Sequence, residues 1–219
     1  MTLQLFAHPF SSYSLKALIG FYETGAPFTL RRLSSDDPAT ASEFAALWPL
    51  QRFPILRDGA RTIVEATSII EHLAVHHGAG ASLIPRDPDA AVEVRMMDRV
   101  FDNYVHVPQS KCVFDFVRAP EARDAQGVAE ARALLDQAYA WLDGRMAGRQ
   151  WAVGDEFSLA DCAAAPALLY GNWTHPIDAR FVDLLAYRRR LLARPSVARA
   201  VDEGRPYRSY FPLGAPDRD

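Results

Sequence analysis

The spacing of apolar positions changes repeatedly over the first 77 residues. Leu3–Ala7 and residues 28–33 are short apolar runs of strand length, and between them Leu15, Leu18, Ile19 and Tyr22 recur at helical spacing. Gly25-Ala26-Pro27 stops that helix, as a glycine at the C-terminus with a proline beyond it should. Residues 54–57 and 61–65 flank Asp58-Gly59, a strong short-range hairpin signal. A second helix follows, with Ile69, Ile70, Leu73 and His77 on one face, ending at Gly78. The predicted order is βαβ, a connecting segment, then ββα: a small mixed domain over 1–77.

Residues 78–88 hold two glycines and two prolines among small side chains and read as a linker. Beyond them strand alternation disappears. Helical patterns cover roughly 89–117, 124–147, 158–171 and 178–193, so 89–219 is predicted to be all helical. Pro108 falls inside the first helix and should kink it, opening space between helices. Pro195 should start a last short helix over 196–203. Ser158-Leu159-Ala160-Asp161 is a capping box, a folding signal, with Phe157 placed to staple against Cys162 or its neighbour.

Composition narrows the function classes. Across 219 residues, 49% hydrophobic and 23% charged side chains suit a soluble globular protein with a sizeable core. A net charge of −3 argues against nucleic acid as the main partner. Arg188-Arg189-Arg190 lies in a helical pattern and reads as a solvated face. No apolar run approaches the roughly 18 residues of a membrane span. The start of the chain reads as a strand without a basic leader. Cys112 and Cys162 make neither a CxxC pair nor a zinc pattern, which fits reduced thiols and a cytoplasmic location.

Three motifs carry the candidate chemistry. Phe10-Ser11-Ser12-Tyr13-Ser14-Leu15-Lys16 places hydroxyls where the first strand ends and the first helix begins. Gln51-Arg52-Phe53-Pro54-Ile55-Leu56 puts a proline at the mouth of another strand, where the extended residue before it can offer its backbone to a ligand. Thr62-Ile63-Val64-Glu65-Ala66-Thr67 leads into the second helix. In this order and spacing, and over nearly the whole chain, they resemble the cytosolic glutathione transferases, in particular the serine-using bacterial type. The resemblance implies an α/β thioredoxin-like N-terminal domain followed by an all-α C-terminal domain, glutathione as co-substrate, no metal, and a homodimer active in detoxification.

Such an enzyme must lower the thiol pKa of bound glutathione. A free thiol near 8.5 is mostly protonated at neutral pH, and a drop of about two units is worth roughly 2.7 kcal/mol. A hydroxyl donating to the sulfur supplies about 1.5–3 kcal/mol, and a helix N-terminus adds about 0.3–1 kcal/mol. The resemblance favours Ser11, six residues before Ala17 in the first helix, with Ser12 as runner-up and Tyr13 third. A cysteine at Ser11 would be needed for the mixed-disulfide chemistry of the cysteine-using classes. A plain N-cap is the alternative role for either serine.

The resemblance also implies that Phe53-Pro54 is a cis pair whose first residue aligns the cysteinyl backbone of glutathione. Arg52 or Gln51 would bind the glycine carboxylate, although Trp48 replaces the usual asparagine of that loop. Glu65 and Ala66 would hold the γ-glutamyl end. The family usually has a serine at Ala66. Losing its charge-assisted bond weakens binding roughly 10- to 150-fold unless Thr67 or Ser68 reaches in.

A small hydrophobic electrophile would sit between the domains, with Tyr104, Pro108, Cys112, Trp173 and His175 as candidate contacts, and the tail from Tyr210 to Gly214 folding back over the cleft. His72 and His76 stand four apart on one helix, as a metal pair would, but no third ligand at suitable spacing accompanies them, and His76-His77 near the helix C-terminus reads as dipole compensation. Two other readings share the site. One is a glutathione-dependent isomerase or ether-cleaving lyase; the other is a non-catalytic binding or scaffold module.

Overall fold

The computed structural model describes residues 3–78, 82–217 and 219. Strands β1 (Leu3–Ala7), β2 (Phe28–Arg32), β3 (Ile55–Asp58) and β4 (Arg61–Val64) form one sheet in the order β2-β1-β3-β4. β2 runs parallel to β1, while β3 is antiparallel to β1 and to β4. Helices α1 (Ser12–Thr24), α2 (Pro38–Leu47) and α3 (Ala66–His76) complete this thioredoxin-like half. The expected linker partly lies outside the described residues, which omit 79–81.

The apolar stripes found in the sequence are the ones buried. Leu15, Leu18 and Ile19 of α1 and Ile69, Ile70 and Leu73 of α3 pack with Leu5 and Leu56 of the sheet. Gly20 permits the close approach of the two helices, because a Cβ there would meet Ile70 Cγ1 at 2.7 Å. Gly25 ends α1 at φ 68, a left-handed conformation that favours glycine. A second cluster of Phe6, Phe44 and Ile55 seats α2. That helix occupies what sequence reading left as a connecting segment. Asp37 caps it by accepting from Thr40 N–H at 3.0 Å, and Pro38 fills its first turn.

The C-terminal half is helical: α4 (Pro88–Val100), α5 (Val107–Phe116), α6 (Ala125–Met146), α7 (Leu159–Thr174), α8 (Val182–Ala193) and α9 (Pro195–Gly204). Between α4 and α5 the chain stays helical but widens into π-type turns over Phe101–His106. Pro108 accounts for this: it lacks an N–H, and its ring crowds the carbonyl one turn back, so the ladder rearranges just before it. α7 is buried along nearly its whole length. Asp161 anchors its start, accepting from Ser158 N–H and Ala152 N–H, each at 2.9 Å, and from the Tyr187 hydroxyl. Phe157 packs edge-on to Trp151.

Two expectations need correction. α8 begins at Val182 rather than 178, because Asp178 closes a turn by accepting from Arg180 N–H and Phe181 N–H. The arginine run is not one solvated face either. Arg188 is buried and donates to the Leu168 carbonyl, while Arg190 donates to the carbonyls of Arg149 and Gln150. Helical rotation sends successive arginines in different directions.

Candidate active site

Loop 8–11 is stitched into one shape before α1 begins. Ser11 N–H donates to the His8 carbonyl at 2.9 Å, Phe10 N–H donates to His8 Nδ1 at 3.2 Å, and His8 N–H donates to Ser14 Oγ at 3.3 Å. The Tyr170 hydroxyl of α7 donates to the Phe10 carbonyl at 2.7 Å, tying the loop to the helical half. Ser11 is the N-cap of α1, and its Oγ accepts from Ser14 N–H at 3.4 Å. Capping uses only a lone pair, so the Ser11 hydroxyl hydrogen stays free to donate beside the positive end of the helix. Capping and donation are therefore compatible roles for one hydroxyl.

An open cleft of about 980 Å³ lies between the two halves. Ser11, Ser12 and Tyr13 line it with Gln51, Arg52, Phe53, Pro54, Glu65 and Ala66. The Phe53–Pro54 peptide is cis. Gln51 and Glu65 have φ values of 49 and 69, which non-glycine residues hold at a cost of about 1–3 kcal/mol. Both flank the cleft, where such strain tends to gather. Glu65 precedes α3, and Ala66 opens it, so the unpaired N–H groups of a helix start face this wall. Thr67 does not line the cleft. Its hydroxyl accepts from Lys16 Nζ at 2.9 Å and donates to Asp98 Oδ2 at 3.0 Å, so both its hydrogen and a lone pair are taken by buried charges.

The helical half contributes differently from the sequence expectation. Val107, Ser110, Lys111 and Phe114, which share one face of α5, line the cleft together with Phe10, Tyr210, Phe211 and Pro212. Pro108 and Cys112 point the other way and are buried. The expectation of both as cleft contacts therefore fails, because a helix presents residues by face and these two belong to the core face. Tyr104 is exposed outside the cleft. Trp173 lies behind the wall against Phe211, and His175 Nε2 donates to Asp136 Oδ1 at 2.8 Å away from it. The tail does cover the cleft through Tyr210, Phe211 and Pro212.

Sequence reading also missed His106. Its Nε2 lies 3.0 Å from Ser12 Oγ and 3.3 Å from Ser110 Oγ, and its Nδ1 lies 3.2 Å from Gln109 Nε2. The amide donates to Nδ1, so Nε2 carries the hydrogen and donates to the serines. Burial first, and the Lys16 charge second, lower the His106 pKa to about 4. It is neutral at pH 7 and supplies no cation to a thiolate. Tyr13, edge-on to the His106 ring, keeps its proton as well, because burial raises its pKa to about 12.

The His106 shift makes a testable contribution to acid sensitivity. The folded pKa lies below the unfolded value of about 6.5, so the unfolded chain binds more protons between the two. This contribution to stability is complete above about 6.5 and is lost as pH falls towards 4, amounting to roughly 3 kcal/mol. Urea unfolding of a His106→Gln variant should show a shallower loss of stability over that window than wild type. Equal slopes would mean that His106 is not held neutral.

Sequence comparisons agree with this architecture. Residues 5–81 match the glutathione S-transferase N-terminal domain model, and residues 106–195 match the C-terminal domain model. The chain is similar to a glutathione S-transferase-like protein, LUC7, of Fusarium, at 31% identity over 71% of this chain and 72% of that one. It is 26% identical to glutathione S-transferase 3 of Zea mays over 91% of this chain and 93% of that one. Among solved structures, a glutathione S-transferase of Methylobacterium radiotolerans in complex with glutathione sulfonate superposes with a TM-score of 0.79. Its identity is 29%, covering 92% of this chain and 95% of that one. Matched in both halves and in order, the chain belongs to the glutathione S-transferase family.

Proposed function

We propose that the protein is a serine-type glutathione transferase in which the Ser11 hydroxyl donates to the glutathione sulfur and stabilises the thiolate. One observation carries this reading: Ser11, whose Oγ caps the N-terminus of α1 as an acceptor, borders the same cleft as Phe53, Pro54, Glu65 and Ala66. A hydroxyl at about 1.5–3 kcal/mol and a helix end at about 0.3–1 kcal/mol account for the roughly 2.7 kcal/mol that a two-unit pKa drop requires. Ser12, whose oxygen already serves His106, is the second choice.

In this reading the Phe53 backbone aligns the cysteinyl unit, and Arg52 with Gln51 meets the glycine carboxylate. Glu65 meets the γ-glutamyl ammonium, and the Ala66 N–H its carboxylate. Thiolate attack on a small hydrophobic electrophile then takes place against the apolar wall of Phe10, Val113, Phe114 and Phe211. The thiolate sulfur forms the new sulfur–carbon bond as the leaving group departs with the electron pair of its bond to that carbon, or, with an activated double bond, as the π pair shifts onto the activating group and takes up a proton. The division at 1–77, 78–88 and 89–219, a cytoplasmic location and a homodimer belong to the same proposal. Among the described residues no helix is long and apolar enough to cross a membrane.

Ala66 gives the reading its sharpest local test. Thr67 is committed to Lys16 and Asp98, and the exposed Ser68 does not line the cleft, so neither stands in for the missing hydroxyl there. An Ala66→Ser variant should bind glutathione about tenfold or more tightly than wild type by calorimetry, since the hydroxyl restores a charge-assisted bond. Wild type should still be retained on immobilised glutathione. Failure of both proteins to bind would favour the scaffold reading. Glutathione binding with isomerase or lyase turnover would keep the site and change the acceptor.

A further inference from the structure

We propose that Asp58, His72 and His77 form a binding site for a divalent transition-metal ion of the zinc class, outside the cleft. Asp58 ends β3 at the tight hairpin, where Gly59 takes a φ of 59. His72 projects from the last half of α3, and His77 follows its final residue. The fold brings the three together: His72 Nε2 and His77 Nε2 lie 2.9 and 3.0 Å from the same oxygen, Asp58 Oδ2. The three donor atoms all fall within 4.8 Å of one another.

The donor chemistry fits the ion. Two imidazole nitrogens and one carboxylate oxygen suit zinc and its neighbours better than calcium or magnesium, which prefer oxygen-only shells. Tetrahedral zinc with bonds of about 2.0–2.1 Å needs donors about 3.3 Å apart; the two Asp58–histidine separations fall a few tenths of an ångström short of this, and the two imidazole nitrogens lie within 4.8 Å of each other. Each imidazole would shift its hydrogen from Nε2 to Nδ1 to present the lone pair. The side chains of Asp58 and His77 are 23% and 29% exposed, which leaves a path for the ion and a fourth position for water. The His76 ring lies tilted beside that of His72 at 4.5 Å between centroids, but its Nε2 faces Arg61 at 3.4 Å and is no ligand.

The ion would fasten the hairpin to the far end of α3. None of the three residues lines the cleft, although β3 follows Pro54 and α3 begins at Ala66. The bound metal is therefore a clip on the frame of the site and takes no part in thiol chemistry. Its occupancy raises thermal stability, because an ion that binds only the folded state shifts unfolding by mass action.

The test is zinc titration of the full-length, chelator-stripped protein against a chromophoric chelator, with thermal unfolding followed in parallel. One zinc should bind per chain. Outer-shell substitutions in metal sites cost about 10- to 100-fold in affinity, so loss of a direct ligand in His77→Ala or Asp58→Asn should cost at least about tenfold. Both positions are partly exposed, and circular dichroism of each variant should match that of wild type. Zinc should raise the midpoint of wild type and His76→Ala but not of the two ligand variants. Wild-type zinc binding no tighter than that of His77→Ala would overturn the site. Loss of binding in His76→Ala would overturn it too, by shifting the ligands to the His72–His76 pair.

Discussion

Replacing Lys16 with methionine is expected to destabilise the protein by roughly 3 kcal/mol. Lys16 is almost completely buried, and its Nζ lies 2.6 Å from both Asp98 Oδ1 and Asp102 Oδ2. Breaking a buried ion pair from one side costs about 3–5 kcal/mol, because the remaining charge has lost both water and partner. Arg99 stays beside both carboxylates, with Nη2 2.7 Å from Asp102 Oδ2, and this holds the loss near the lower end. The network joins α1 and the first turn of α3 to α4 and the π-type turns, so it fixes the two helix starts that border the cleft.

The same substitution should change the pH dependence. Burial already raises the Asp102 pKa, and Lys16 is the largest influence opposing that rise. Without the lysine the folded pKa climbs further above its unfolded value. A raised folded pKa gives stability that is present at low pH and lost as pH rises through it. Urea unfolding should therefore show a larger gap between Lys16→Met and wild type at pH 7 than at pH 5. An equal gap would mean that Asp102 does not depend on the lysine for its charge.

Ser11→Ala should lower kcat/KM with glutathione roughly 10- to 150-fold, the equivalent of one hydrogen bond to a charged sulfur. The loss should appear mainly in thiolate formation, with glutathione affinity less affected, because the contacts to both ends of the tripeptide remain. Removal of the N-cap also costs about 0.5–2 kcal/mol of stability, so activity must be compared where both proteins are folded. Ser12→Ala should have a smaller effect: its oxygen accepts from His106, which retains Ser110 as an alternative acceptor. A larger loss for Ser12→Ala would transfer the activating role to that hydroxyl.

Much of the N-terminal half was legible because strand and helix periods are local properties. The short strand-length runs, the Asp58-Gly59 turn and the α1 and α3 stripes all lie where the pattern places them. α2 escaped because it buries little, with only Thr40 and Phe44 covered, although Asp37-Pro38 is a readable helix start. The cleft residues of the first half follow from three local motifs. Those of the second half do not, since Val107, Ser110, Lys111 and Phe114 form a mixed face without a periodic signature. Partners far apart in sequence were out of reach. Ser12 meets His106 across 94 positions, Lys16 meets Asp102 across 86, and Asp58 reaches His72 and His77 only through the hairpin.

The central claim is that Ser11 makes bound glutathione a thiolate. The most direct measurement titrates glutathione into wild type and Ser11→Ala at pH 7, recording heat of binding and thiolate ultraviolet absorbance together. Both proteins should bind, and only wild type should develop the thiolate signal in full. Equal thiolate signals in the two proteins, or no binding by wild type, would contradict it.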